Sequence, residues 1–213
     1  MLYEIGRPLC RAFVKIAYKC TFEGLENIPD GGFILCSNHR SYMDPVLLGL
    51  RVKPHLNFMA KKELFKPGFG WLIRHLGAFP VERGNGGEAI EKAIQTVEDG
   101  KVFAIFPEGT RAKDGVLGRG KTGVALIAAK TGADIVPAAV GFEGKLHFRS
   151  RVTVRFGKPI HASELGVVND TPGELKAAST LLMTRVAELL EQDWPGKGFT
   201  KRYLPDASVQ DKA

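Results

Sequence analysis

Residues 33–45 read Phe33-Ile34-Leu35-Cys36-Ser37-Asn38-His39-Arg40-Ser41-Tyr42-Met43-Asp44-Pro45. The stretch Phe33 to Ser37 is an apolar run of strand length. Pro45 lacks an N–H, suits the first position of a helix, and pushes the residue before it out of the helical region. Asp44 is therefore the expected N-cap of a helix that starts at Pro45. The whole stretch is a strand, a polar loop and a helix start, and His39 lies in the loop. In α/β proteins ligands bind at that junction, just past the carboxyl end of a strand. The spacing of His39 and Asp44 does not suit one face of a continuous helix, but across a loop the carboxylate can fold back onto the imidazole. It then fixes the tautomer, stabilises the imidazolium and leaves the other ring nitrogen to take a proton. A loop histidine standing near a capping aspartate by chance fits the pair equally well.

Working outward, the same alternation recurs. Leu56 to Ala60, Ala78 to Val81, Val102 to Phe106 and Ile135 to Val140 are further apolar runs of strand length, and Arg151 to Phe156 alternates as a half-exposed strand does. Helical patterns separate them. Gly87 to Asp99 places Ile90, Ala93, Ile94 and Val97 on one face before Gly100; Thr122 to Thr131 stops at Gly132. Thr171-Pro172-Gly173-Glu174 is a capping box with proline at the first helical position, and Leu175, Ala178, Leu182, Val186 and Leu189 continue it as a long helix. Alternating strands and helices predict an α/β domain whose mixed, largely parallel sheet is flanked by helices. Three parts are expected: an amphipathic helix over 1–22, a catalytic domain over 23–195, and a polar, irregular tail over 196–213.

The first part has a pattern of its own. At about 100° per residue, Leu2, Ile5, Leu9, Phe13, Ile16 and Cys20 share one face, with Arg7, Arg11, Lys15 and Lys19 in a neighbouring stripe. Such a helix either lies in a membrane interface with its cations toward lipid head groups, or packs on its own domain and exposes the basic stripe. No apolar run reaches the ~18 residues a spanning helix needs, and the spread charges leave no signal-peptide core. The formal net charge is +7, which suits an anionic partner. The three cysteines, Cys10, Cys20 and Cys36, form no C-x-x-C pair and are expected to be reduced, buried thiols. The histidines show no metal-binding spacing, so no metal is expected. Neither a helix-turn-helix nor a basic–aromatic stripe favours nucleic acid.

Two further strand ends carry polar groups. Phe106-Pro107-Glu108-Gly109-Thr110-Arg111 follows one strand; its glycine permits close backbone approach, and its arginine can bind phosphate as a bidentate fork. Gly77-Ala78-Phe79-Pro80-Val81-Glu82-Arg83 ends another in an arginine, and Val136-Pro137 lies inside a late strand. Pro80 is tolerable only on an edge strand. Any of these alone reads equally as an ordinary turn with solvated charges.

Taken in order, these segments resemble the motifs of the glycerolipid acyltransferase family: H-x4-D at His39 and Asp44; G-x-F-x-x-x-R at Gly77, Phe79 and Arg83; F-P-E-G-T-R at Phe106 to Arg111; and V-P at Val136 and Pro137. Ala60-Lys61-Lys62-Glu63-Leu64 and Gly120-Lys121-Thr122-Gly123 are similar to two further segments of the family, although Gly120 replaces a bulky aromatic. The resemblance implies a glycerol-3-phosphate acyltransferase-like fold. It implies transfer of a fatty acyl group from acyl-CoA or acyl-carrier protein, a cosubstrate rather than a bound cofactor, to the sn-2 hydroxyl of 1-acylglycerol 3-phosphate. Glycerol 3-phosphate or another lyso-lipid is the alternative acceptor. His39 would be the general base and Asp44 its orienting carboxylate, attacking directly because no G-x-S-x-G elbow exists to form an acyl-enzyme. Lys61, Arg83, Glu108, Gly109, Arg111 and Lys121 would serve the acceptor phosphate. Phe65, Phe69 and Trp71, in a stretch that mixes aromatics with cations, would contact the membrane or the acyl chain, or else are simply core. The enzyme would then sit peripherally on the cytoplasmic face of an anionic membrane. A hydrolase or a non-catalytic membrane-binding protein is a weaker reading of the same residues.

Overall fold

The computed structural model describes residues 2–53, 55–82, 86–112, 114–195 and 198–204. Its centre is a seven-stranded sheet of β1 (Lys19–Glu23), β2 (Ile34–Ser37), β3 (Leu56–Lys61), β4 (Ala78–Val81), β5 (Val102–Ile105), β6 (Ile135–Gly141) and β7 (Arg151–Phe156). The spatial order is β1-β7-β6-β2-β5-β3-β4, and every neighbouring pair is parallel except β6 with β7. The expected mixed, largely parallel sheet is what forms.

The central strands β2, β5 and β6 are buried throughout, which explains why they read as continuous apolar runs rather than alternating ones. Alternation still sorts their side chains. Ile34, Cys36, Phe103 and Ile105 face one layer with α4 (Gly86–Glu98), α5 (Gly123–Thr131) and α6 (Pro172–Asp193). Phe33, Leu35, Val102 and Ala104 face the other, with α1 (Leu2–Ala17) and α2 (Asp44–Gly49). Gly132, at φ 66°, ends α5 in the left-handed conformation, and Thr171 caps α6 through the reciprocal box with Glu174. Pro80 lies in β4, the edge strand, where its missing N–H breaks no ladder.

The amino-terminal helix is shorter than expected. The helix stops at Ala17, and Lys19–Glu23 is not its last turn but an edge strand paired in parallel with β7. Thr21 and Phe22 favour a pleated surface, and β7 offers an open edge for them. The helix buries a face other than its apolar stripe. Val14 and Ala17 are buried, whereas Leu9, Phe13 and Ile16 are 68%, 56% and 65% exposed. Arg7 and Arg11 explain the rotation: both donate to the Leu50 carbonyl at the end of α2, which turns part of the basic stripe inward and the apolar stripe outward.

The chain beyond α6 forms no helix or strand over the described residues, yet it packs on the domain. Residues 198–204 return to the body, with Thr200 buried and its hydroxyl bonded to Glu191. Between β3 and β4, the segment that mixes aromatics with cations folds as helix α3 (Phe69–His75).

Candidate active site

Because β2, β5, β3 and β4 run parallel, the loops after them open on one edge of the sheet. The loop after β2 begins with Asn38, which is buried and forms a two-way bridge to β6: its amide donates to the Val140 carbonyl at 3.0 Å and accepts from the Val140 N–H at 2.8 Å. The chain then turns back on itself. Asp44, fully buried, accepts at Oδ2 from the backbone N–H of Arg40 at 2.7 Å and of Ser41 at 2.8 Å, and the same oxygen lies 2.8 Å from His39 Nδ1. Asp44 is therefore the first residue of α2 rather than its cap; Met43 holds the N-cap position. The carboxylate is drawn backward because the Ser41–Asp44 turn aims it at the preceding amides instead of at the helix. The imidazole, 19% exposed, stacks on the Phe106 ring at 4.3 Å between centroids. With Nδ1 held by Asp44, Nε2 is the nitrogen available to a substrate.

The loop after β5 supports that arrangement from beneath. Glu108 is buried; its Oε1 accepts from the His39 N–H at 2.7 Å and its Oε2 from the Gly118 N–H at 2.8 Å. The His39 carbonyl accepts from the Ala112 N–H at 2.8 Å, so both main-chain groups of the histidine are tied to this second loop. Burial pushes the Glu108 carboxyl up from the ordinary glutamate range, against the pull of its two amide bonds. Each oxygen accepts from one backbone amide, so Glu108 braces the His39 loop from inside the wall. Gly109 does reach the surface, in a left-handed turn at φ +66°, and the Lys121 side chain crosses it so closely that a Cβ there would meet Nζ at 2.8 Å. The Arg111 guanidinium stacks on the exposed Tyr42 ring, 3.6 Å from its centroid.

Comparison with known proteins gives this geometry its context. The acyltransferase family model matches residues 19–141, more than half of the chain. The chain belongs to the acyltransferase family. It is 35% identical over 166 residues to a chloroplastic 1-acyl-sn-glycerol-3-phosphate acyltransferase of Arabidopsis thaliana, a match covering 71% of this chain and 46% of that protein. The chain thus spans just under half the length of that plant relative. To the 1-acyl-sn-glycerol-3-phosphate acyltransferase of Bacillus subtilis it is 32% identical over 173 residues, covering 77% of this chain and 84% of the other. The crystal structure of the 1-acyl-sn-glycerophosphate acyltransferase of Thermotoga maritima superposes with a TM-score of 0.71 at 29% identity, covering 91% of this chain and 81% of that one.

In this member of the family, the other expected residues that the structure describes lie at or beyond the end of β3. Lys61 ends β3 and is exposed. Arg83 lies outside the described residues, just past β4; its neighbour Glu82 pairs with Lys62 and links the ends of β3 and β4. The Phe65 ring lies under the Arg74 guanidinium at 4.7 Å, and Trp71 is exposed and packs against His75. The Phe69 side chain is outside the described residues. Cys36 is a buried thiol as expected, but Cys10 and Cys20 are only half-buried; all of them are free. Among the described residues no cluster of His, Cys, Asp and Glu could hold a metal ion.

Sequence reading passed over four residues of the site: Asn38, Arg40, Tyr42 and Gly118. Arg40 sits between the rings of Phe142 and Phe199 at 4.2 Å and 4.6 Å, and donates to the Phe142 carbonyl. Its partners are about a hundred or more positions away in sequence, so no local pattern marks it. An apolar recess lined by Cys10, Pro45, Val46, Leu50, Leu56 and Phe58 begins one residue past Asp44, and only the packing of α1 against α2 reveals it.

Proposed function

We propose that the chain transfers a fatty acyl group from a thioester donor, acyl-CoA or acyl-carrier protein, to the sn-2 hydroxyl of 1-acylglycerol 3-phosphate. The observation that carries this reading is the pair His39 Nδ1–Asp44 Oδ2 at 2.8 Å, with Asp44 fully buried. A buried carboxylate on one ring nitrogen selects the tautomer whose Nε2 accepts a proton. The acceptor hydroxyl attacks the thioester carbonyl as its proton passes to Nε2. The tetrahedral adduct then expels the thiolate, which leaves as the thiol after taking that proton back from the imidazolium. General-base assistance of this type is worth about 10²- to 10⁴-fold. Arg111 and Lys121, with Lys61 and, from the sequence motif, Arg83, supply cations for the acceptor phosphate, and the names of the relatives favour that acceptor. The apolar recess beside α2 is the candidate wall for an acyl chain.

Among the described residues no helix is long and apolar enough to cross a membrane. The outward stripe of Leu9, Phe13 and Ile16, with exposed Trp71, supports peripheral contact with a membrane surface. Flotation with anionic liposomes tests this: protein that stayed wholly soluble at low salt would remove the idea.

An acyl-transfer assay tests the reaction. It offers 1-acylglycerol 3-phosphate, glycerol 3-phosphate and water as competing acceptors, and acyl-CoA and acyl-carrier protein as donors. The expected product is phosphatidic acid, and His39→Ala removes turnover while melting as the wild type does. Substantial residual transfer by that variant would mean that the base is elsewhere.

A further inference from the structure

The family match ends at residue 141, yet the loop that braces His39 is itself held by residues far beyond it. Residues 115–120 form no helix or strand. Three of their peptide units are met by the carboxy-terminal segment. The Leu117 N–H donates to the Phe199 carbonyl at 2.8 Å, the Tyr203 hydroxyl donates to the Gly118 carbonyl at 2.9 Å, and the Gly120 N–H donates to that same hydroxyl at 3.1 Å. The loop passes this support inward, because Gly118 N–H holds Glu108, and Glu108 holds the His39 N–H. A Cβ at Gly118 would stand 2.8 Å from Glu108 Oε2, so the fit there is close on both sides.

Arg40 closes the arrangement from the opposite side. Its guanidinium packs against the Phe199 ring, and its Nη2 would lie 2.6 Å from a Cβ on Gly115, the first residue of the same loop. Two chains of contact therefore run from the carboxy-terminal segment to the histidine. One goes through Tyr203, Gly118 and Glu108, and the other through Phe199 and Arg40, the residue next to His39.

We propose that residues 198–204 form part of the active-site wall, with Phe199 and Tyr203 as positioning residues that hold the His39 backbone through the 115–120 loop and Arg40. This rests on the acyl-transfer reading, in which His39 acts on the acceptor hydroxyl. None of these groups needs to touch substrate. Their effect is on the placement of the imidazole, and a displacement of about 1 Å at a reacting group costs on the order of 10²-fold in rate.

The test uses the full-length protein with Tyr203→Phe, Phe199→Ala and Phe199→Tyr, and Lys201→Ala as a control on an exposed residue of the same segment. Tyr203→Phe and Phe199→Ala are expected to lower kcat about tenfold at a temperature where each variant is folded, with KM for the lyso-lipid unchanged. Phe199→Tyr keeps the ring and restores kcat; Lys201→Ala behaves as wild type. Amide hydrogen exchange, which needs no substrate, should quicken at His39 and Gly118 in the two impaired variants. A wild-type kcat with only a lower melting temperature would reduce the segment to a stability element and overturn the proposal. So would a change confined to KM, or unchanged exchange at His39. If the wild type itself transfers no acyl group, the functional reading fails, while the exchange result still decides whether the segment holds His39.

Discussion

Asp44 and Glu108 invite comparison. Each is a buried carboxylate in a loop region that follows a parallel strand, and each accepts from backbone amides, Arg40 and Ser41 in one case, His39 and Gly118 in the other. They differ in how the oxygens are used. Asp44 gathers its partners on Oδ2, where the imidazole also binds, while Oδ1 has no partner among the described residues. Glu108 divides its two oxygens between two loops and touches no ring nitrogen. The first carboxylate orients a side chain, and the second fixes the main chain that carries it. A buried acid close to a histidine is thus not by itself an orienting acid; what matters is which atom of the histidine it holds.

The largest expected effect separates these roles. Asp44→Asn keeps an acceptor for the two amides but removes the charge that selects the imidazole tautomer. Turnover should fall about 10²- to 10⁴-fold with only a small change in melting temperature. Turnover close to wild type would break the comparison at its strongest point.

Glu108→Gln should act in the other direction, on the fold first. The new amide NH₂ replaces one of the two accepting oxygens, so either the His39 or the Gly118 N–H loses its acceptor, at about 1–3 kcal/mol by denaturant unfolding. The pH dependence sharpens this. Burial raises the folded-state value of Glu108 above the ordinary 4.5, so its contribution to stability is present below that value and is lost as pH rises through the folded one. The glutamine variant should lack this fall. A slope that persisted unchanged in unfolding measurements across the range would assign it to another group.

At the rim the effects are smaller. Arg111→Ala should raise KM for the phosphorylated acceptor by about tenfold and leave kcat nearly intact, since a charged hydrogen bond to phosphate is worth about 1.5–3 kcal/mol. Tyr42→Ala should do the same more weakly by freeing the stacked guanidinium. An unchanged KM in both would remove the phosphate from this corner. Smallest of all, Cys36 should resist alkylation in the native protein, because burial, with the nearby Glu108 charge, pushes its thiol up to about 12. Rapid labelling would show that β2 opens beside the His39 loop.

Much of this was legible in local pattern. Apolar runs the length of strands, the capping box at Thr171 and the glycine after α5 each follow from a few adjacent residues, and each formed where the pattern puts it. What local pattern leaves open is what a second element decides. Leu9, Phe13 and Ile16 share a helical face in any helix; that they point outward depends on Arg7 and Arg11 finding the Leu50 carbonyl. Glu108 reads as a charged turn residue, and nothing near it in sequence says that its partners are His39 and Gly118.

What the sequence determined by itself was the strand–loop–helix unit around His39, the parallel α/β layering, and the presence of a histidine and an aspartate on one loop. Periodicity and proline geometry act over a few residues, so they can be read without knowing the fold. Tertiary structure alone decided which face of α1 is bare, that Glu108 holds the His39 and Gly118 amides, and that residues 198–204 return to the 115–120 loop. Those outcomes depend on hydrogen-bonding groups brought together from distant parts of the chain. A buried donor or acceptor takes whichever partner the packing delivers, because leaving it unpaired costs more than any local preference.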